Sequence, residues 1–512
     1  MNDRRRSRFA ASLLALGLTV ALACAARPAA ATEPGPPPAP PSGPLSAQDA
    51  VRLAAQHSPT LRSALIEVER AAVLVRGEDK RYTPLFTSQL DYVHSTNPSL
   101  HTSGVSSGTN DAVNAQVAIN QQFAWGTLVA AELTLGRTSS KYVSPQFPDP
   151  TSLGPGYGLE LRLSATQPLL RGAGRTLWEA ELRSARLVER TARTAAEQAG
   201  SEVAQAVLTA WWELWYAEQA VRIQQAAKET AERQVAEAQV KVDAGAMARL
   251  AVLPLRSSLA TIEEQLLAAE TTVRTARITL ARLVGGSLAA SDLVTGGGEA
   301  PAVTALDLPL AQAIDDAMVG AVELTQLRAN VEQARLQVAV AEEQAELKLD
   351  ASAWVSLQGL GNQSVGDAVT QFGEFGAVSG GVSVALELPV NRTTLRSAAA
   401  AARLSVDAAA ERLRAAEEQV AQQVAELYEQ AASAQARIAL AERTAAIARE
   451  TAEGQAISFE SGAGTALEVV TAQQDQRQAA LRVVRARVDY ELARLALLHL
   501  TGRLLDRLTA PG

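Results

Sequence analysis

Two hydrophobic periods alternate along the chain. In its shorter segments the apolar residues recur at every second position. Tyr157, Leu159, Leu161, Leu163 and Ala165 share one side, and Glu160, Arg162, Ser164 and Thr166 share the other. Leu349, Ala351, Ala353, Val355 and Leu357 alternate with Asp350, Ser352, Trp354, Ser356 and Gln358, and Val382, Val384, Leu386 and Leu388 with Ser383, Ala385 and Glu387. A period of two predicts strands with one apolar and one polar face. In the longer segments the period is seven. Val406, Leu413, Val420 and Leu427 continue as Ala434, Ala441 and Ala448, while Val424, Ala431, Ile438, Ala445 and Ala452 run four places behind. Those are the a and d seams of a coiled coil, and so many alanines let helix axes approach closely.

The elements come in the same order twice. Val203-Ala204-Gln205-Ala206-Val207 recurs as Val420-Ala421-Gln422-Gln423-Val424, and at that spacing Trp211 falls on Tyr428, Gly245 on Gly462 and Leu250 on Leu467. Upstream, Ala50-Val51 and Val68-Glu69 echo Ala313-Ile314 and Val331-Glu332. Preserved order over the whole length identifies a tandem repeat. Residues 45–284 form the first copy and 307–505 the second, joined by a Gly/Ala/Ser-rich linker at 285–306 and followed by a tail at 506–512. Each copy is expected to hold one helix (46–80; 308–346), a strand region (85–167; 349–390), a very long helix (175–243; 396–460) and a final helix (249–284; 465–500). The first strand region also holds candidate extra strands, Val113 to Phe123 and Leu128 to Thr138, around the turn-like Trp125-Gly126. Of the two ways to place them, a hairpin folded over the first pair is preferred to one that joins the sheet, which leaves four barrel strands per chain.

The N-terminal segment reads as an address label. Arg4, Arg5, Arg6 and Arg8 precede an apolar stretch ending near Ala29-Ala30-Ala31, which predicts a signal peptide over 1–31, followed by a Pro-rich leader at 32–44. Cys24, the single cysteine, has Ala21 where a lipid-attachment site usually carries a bulky aliphatic residue. Removal with the peptide is the preferred reading, with lipid attachment as the alternative. No later run reaches the roughly 20 apolar residues of a spanning helix, so any membrane crossing falls to strands. The formal charge is −8; the basic leader hides a more acidic remainder, which argues against a nucleic-acid partner. The histidines His57, His94, His101 and His499 are scattered without a metal-site spacing. Gly296-Gly297-Gly298 and Gly172-Ala173-Gly174 lack the rest of a nucleotide motif. No residue set suggests a nucleophile, and neither cofactor, metal nor enzymatic activity is expected. Trp211, Trp212, Trp215 and Tyr216 are expected to pack against a neighbouring helix.

With the repeat, the strand-exit motif Gln167-Pro168-Leu169-Leu170-Arg171-Gly172 and the two turn motifs Asp243–Leu253 and Phe459–Gln473 in place, the chain resembles the TolC family of trimeric outer-membrane efflux proteins over about Leu45 to Leu505. The resemblance implies an α+β membrane protein: a tandem-repeat, long α-helical coiled-coil barrel plus transmembrane β-barrel strands, assembled as a homotrimer in the outer membrane with its helices in the periplasm. It implies an exit channel of a tripartite efflux or type I secretion system, with a periplasmic adaptor, an inner-membrane transporter and outer-membrane lipid as partners. The turns Gly245, Arg249, Leu250, Gly462, Thr465 and Leu467 would meet the adaptor. Glu468 would stand in an acidic ring at the constriction, where like charges raise a carboxylate's pKa if the ring is dry. Thr471 occupies the second acidic position of the family pattern, so the ring is half present. The competing expectations are a periplasmic adaptor and a structural coiled-coil protein of an export system.

Overall fold

Proline and glycine set the breaks between elements. In the computed structural model, which describes residues 45–102, 104–144, 147–285, 295, 308–362 and 364–509, the first helical segment is two helices, α1 (Ala47–His57) and α2 (Pro59–Asp79). The single helix expected over 46–80 is corrected at Ser58-Pro59. Proline disfavours the helical conformation in the residue before it; Ser58 is extended, and its hydroxyl accepts from Leu61 N. The second copy breaks at the matching place, between α5 (Leu310–Gly320) and α6 (Val322–Gln344), with Ala321 extended. There Gly320 abuts the Thr501 backbone so closely that a Cβ has no room. The expected signal peptide with Cys24, the Pro-rich leader and nearly all of the 285–306 linker lie outside the described residues.

The long helices are α3 (Ala180–Asp243, 64 residues) and α8 (Thr393–Glu460, 68 residues). At 1.5 Å per residue each runs to roughly 100 Å. α3 begins at Ala180, five residues later than expected, because the chain from Pro168 to Gly174 is still turning. Gly172 and Gly174 have positive φ there, and Leu169 N and Arg171 N donate to Leu349 O and Leu347 O. The strand-exit motif thus fastens the first copy to the second. A 3-10 turn (Arg249–Val252) leads into α4 (Leu253–Val284), and α9 (Ala466–Leu500) returns from α8. The repeat is visible in the backbone: Gly245 and Gly462 have φ of 71° and 79°, and Gly285 and Gly502 have 111° and 72°. A short helix, α10 (Leu504–Thr509), occupies part of the expected tail, with Leu504 buried.

Where the helices of the two copies converge, the aromatic cluster fills the main core. Trp211, Trp212, Leu214 and Trp215 of α3 pack with Leu45, Ala50 and Ala54, Leu280 and Val284 of α4, Val488 and Leu495 of α9, and Leu504. Trp212 meets Trp211 and Trp215 edge-on at 5.2 and 5.6 Å, and Trp211 Nε1 donates to Leu45 O at 2.8 Å. The second copy builds a smaller counterpart from Ala313, Ala317, Leu324, Val420, Val424 and Leu497. The heptad seam of α8 is buried at Val420, Val424, Ala431, Ala434 and Ile438.

The strands form one antiparallel meander in chain order: β1 (Leu85–His101), β2 (Gly104–Gln122), β3 (Leu128–Ser144), β4 (Phe147–Pro168), β5 (Lys348–Gly361) and β6 (Ala377–Glu387). Six strands, not four, therefore belong to the sheet. The extra strands are β2 and β3, and they lie between β1 and β4 instead of folding over them. Between β5 and β6 the chain makes an unanticipated helix, α7 (Val365–Gly373), begun by a Ser364/Asp367 capping box. Its buried Ala368 sits against Gly359 and Gly361 of β5, glycines that leave no space for a Cβ.

Candidate channel wall and gate

Strand register aligns the faces. Ile119, Ala131, Leu163, Val355 and Gly380 are successive cross-strand partners, as are Val117, Leu133, Leu161, Leu357 and Val378. A continuous apolar face runs from Phe86 and Leu90 on β1 to Val382 and Val384 on β6. The opposite face carries Gln116, Glu132, Thr134, Glu160, Arg162, Ser356 and Gln358. The sheet curls toward this polar side. Ser356 is 1% exposed and Ala118 8%, whereas Val355 and Ile119 next to them are 44% and 48% exposed. Polar groups on the concave side satisfy one another: Ser356 Oγ donates to Glu160 at 2.7 Å, and the Arg162 guanidinium lies 4.7 Å over the Trp354 ring.

The apolar face has a membrane's dimensions. From the pair Val129–Ala165 to the pair Arg137–Tyr157 there are about eight steps of roughly 3.3 Å, or about 26 Å of strand, against an apolar band of roughly 25 Å on outer-membrane barrels. Aromatic residues mark both ends. Tyr92 and Tyr157 stand at one level, joined through Val113 and Arg137. At the helical end Phe123 stacks on Trp125 at 4.8 Å, Trp178 Nε1 donates to Gly172 O at 2.8 Å, and Tyr82 donates to Trp178 O. Amphipathic rings collect at such boundaries between hydrocarbon and water. Among the described residues no helix is long and apolar enough to cross a membrane.

At the far end of the long helices the two turns meet. Ala238, Val252, Leu255 and Ala466 form a small core with Met247, Phe459 and Val470 around it, and Lys241 lies 5.8 Å from the Phe459 ring centre. This core joins the two turns, one carrying Gly245, Arg249 and Leu250 and the other Gly462, Thr465 and Leu467. Leu250 is 76% and Leu467 62% exposed, large apolar side chains at the tip of the hairpins. The turn residues are legible in the sequence; their shared core is not, because its members are apolar residues with no special motif.

Glu468 has a local task. Thr465 Oγ1 accepts from Glu468 N at 3.3 Å, while a Glu468 carboxylate oxygen accepts from Thr465 N at 2.8 Å and from Thr465 Oγ1 at 2.9 Å. This reciprocal capping box satisfies backbone donors left over at the start of α9. The backbone bond from Thr465, then its hydroxyl, holds the carboxyl below its ordinary value of 4.5. Within one chain the cap therefore pulls in the opposite direction to a dry acidic ring. Thr471 donates its hydroxyl back to Leu467 O at 2.9 Å. Because the folded pKa is depressed, the cap's contribution is complete above the unfolded value and is lost as pH falls through the folded one. Thr465→Ala is expected to destabilise the first turn of α9 by about 1 kcal/mol, speeding amide exchange at residues 466–469 about fivefold at neutral pH. That difference should shrink on acidification below the unfolded pKa.

Three of the histidines make hydrogen bonds: His57 Nδ1 lies 2.9 Å from Leu53 O, His94 Nδ1 2.7 Å from Asp111, and His499 Nδ1 2.7 Å from Ser201 Oγ. Burial lowers the pKa of His499. Among the described residues no group of His, Cys, Asp or Glu could hold a metal ion.

A curved strand meander with an apolar convex face, set on paired helices of about 100 Å, is the fold of outer-membrane channels. The outer membrane protein VceC of Vibrio cholerae shares it with a TM-score of 0.62 at 17% identity, over 89% of this chain and 96% of that one. The outer-membrane channel OprN has a TM-score of 0.64 at 16% identity over 89% of each chain, and the CmeC outer membrane channel of Campylobacter jejuni 0.57 at 14% over 90% and 86%. No curated protein matches the chain significantly in sequence. Residues 313–503, nearly the whole second repeat, match the family described as outer membrane efflux protein. The family match is thus confined to the second repeat, while the likeness of fold extends over most of the chain.

Proposed function

We propose that three copies of this chain assemble into the exit channel of a tripartite efflux or type I secretion system. The channel passively conducts cargo delivered by an inner-membrane transporter through a periplasmic adaptor. The observation that carries this reading is the sheet's division into an apolar convex face and a polar concave face, continuous with helices long enough to span much of a periplasm. A wall that is dry outside and wet inside is what a water-filled pore needs in a bilayer. An adaptor or a purely structural coiled coil has no use for it.

The paired helix turns form the periplasmic tip. Exposed Leu250 and Leu467, with Arg249 beside them, supply the adaptor contact, and Glu468 from each subunit supplies a ring of negative charge near the axis. Such a ring favours cations. Three carboxylates facing one another also raise each other's pKa, against the local capping bonds that lower it. Outer-membrane extracts are expected to yield a heat-modifiable trimer in SDS and discrete conductance steps in planar bilayers. Glu468→Ala is expected to weaken block by divalent cations, with Glu468→Gln doing the same while keeping the side chain's hydrogen-bonding reach. A preparation without trimer or conductance would overturn the reading.

A further inference from the structure

We propose that the extra strands β2 and β3 are full members of the membrane wall, and that the edge strands β1 and β6 pair with further copies of this chain to close an eighteen-stranded barrel. This rests on the trimeric channel reading above and deepens it, since four strands per subunit would close a twelve-stranded barrel.

Bonding order comes first. A hairpin folded over the first pair would leave β1 and β4 as neighbours; instead β1 pairs with β2 from Leu85–Asn120 to His101–Gly104, and β2 pairs with β3 from Ser107–Val143 to Gln122–Leu128. The extra strands thus carry the backbone hydrogen bonds that tie β1 to the rest of the wall.

Length and height agree with that order. β2 has 19 residues and β3 has 17, against the roughly 9–11 needed to cross hydrocarbon as a tilted strand. Their apolar positions, Val113, Ala115, Val117 and Ile119 on β2 and Val129, Ala131, Leu133 and Leu135 on β3, share the rows of Tyr157, Leu159, Leu161, Leu163 and Ala165 on β4. Exposure alternates at 117–119 of β2 as it does at 353–356 of β5. Val117 and Ile119 are exposed around buried Ala118, as Val355 is beside buried Ser356. The curvature that places β5 in the wall therefore also includes β2.

The occupant of the edges follows from backbone chemistry. Six strands are too few to close on themselves, because eight already leave an interior only wide enough for side chains. An open edge cannot persist in hydrocarbon, where unpaired N–H and C=O groups have no water. The edges of a second copy offer the same length, pleat and apolar face. At about 4.8 Å between strands and a tilt of roughly 40°, eighteen strands enclose a backbone circle of roughly 36 Å diameter, compared with roughly 24 Å for twelve. The wider mouth fits large or bulky cargo.

The test uses single cysteines introduced one at a time at 113–119 of the full chain, in which the one native cysteine, Cys24, is changed to serine. Positions 355 and 356 are the controls. In purified trimers reconstituted in phospholipid vesicles, cysteines at 113, 115, 117 and 119 are expected to resist an aqueous maleimide and to respond to a lipid-borne quencher. Those at 114, 116 and 118 should label at least tenfold faster than their neighbours. If 355 and 356 alternate while 113–119 label uniformly, the extra strands lie outside the wall and the inference fails while the channel reading stands. If neither set alternates, or no trimer forms, the channel reading fails and this inference with it.

Discussion

Trp215→Ala is expected to destabilise the assembled protein by about 3–5 kcal/mol per chain, the largest loss of any single helical substitution considered. Trp215 is 3% exposed and sits where α3 crosses the N-terminal helix, α4, α9 and the C-terminal helix. Removing the indole leaves a void that this alanine-rich neighbourhood cannot close, and truncating a buried tryptophan falls in that range. It also removes the edge-on contact with Trp212. Denaturant unfolding in detergent measures the change, and the heat-resistant trimer should melt at a lower temperature. Arg52→Ala is the contrasting variant. Its ion pair with Asp49 is exposed on both sides, 71% and 45%, and such pairs contribute at most about 1 kcal/mol. Equal losses for the two variants would mean that the tryptophan cluster is not the central core.

Leu163→Arg should block stable insertion, whereas Ser164→Arg should be tolerated. Leu163 faces the convex side between Ala131 and Val355, two residues inside the helical end of the apolar band. An arginine on a lipid-facing barrel surface is unfavourable by roughly 2–4 kcal/mol at the midplane and by less toward the interfaces, and a trimer would suffer it three times. Ser164 is the next residue and faces the concave polar side, paired with Ala130 and Trp354. There an arginine remains hydrated, and its visible effect should be a shift of ion selectivity toward anions. The checks are the trimer recovered from outer membranes for the first variant and the reversal potential in planar bilayers for the second. If Ser164→Arg abolishes insertion and Leu163→Arg does not, the two faces of the sheet have been assigned the wrong way round.

Much of this molecule follows from periodicity. Alternation at Tyr157–Thr166 and Leu349–Gln358 identified strands and their faces, because pleating sends successive side chains to opposite sides whatever the partner strand is. The matching glycines, Gly245 and Gly462, located the helix reversals, since a left-handed turn there needs a residue without a Cβ. The order of repeated motifs established two copies. Ser58-Pro59 was legible in principle as a helix break, but its counterpart at Ala321 carries no proline and is set by the close approach of Gly320 to Thr501, a contact between distant residues. The α7 insertion was missed because Val365–Gly373 is too short for its period to stand out; its capping box at Ser364 and Asp367 was the available signal.

The tertiary structure alone decided which elements are neighbours. β2 and β3 alternate as clearly as β4, yet alternation says only that a strand has two faces, and the same residues would serve a flap or a wall. Their place between β1 and β4 is fixed by backbone pairing, which is nearly independent of side-chain identity. Glu468 shows the same division on a smaller scale. Its position after the second turn was plain from the motif, but its engagement with Thr465 depends on the extended backbone of Thr465 (φ −103°, ψ 151°), which brings the two groups within hydrogen-bonding distance. Sequence by itself determined the element types, their faces, the twofold repeat and the resemblance to an efflux family, because these rest on local periods and short motifs. Strand order, the six-stranded sheet and the common core of the two helix tips came from the fold, because they depend on contacts between residues far apart in the chain.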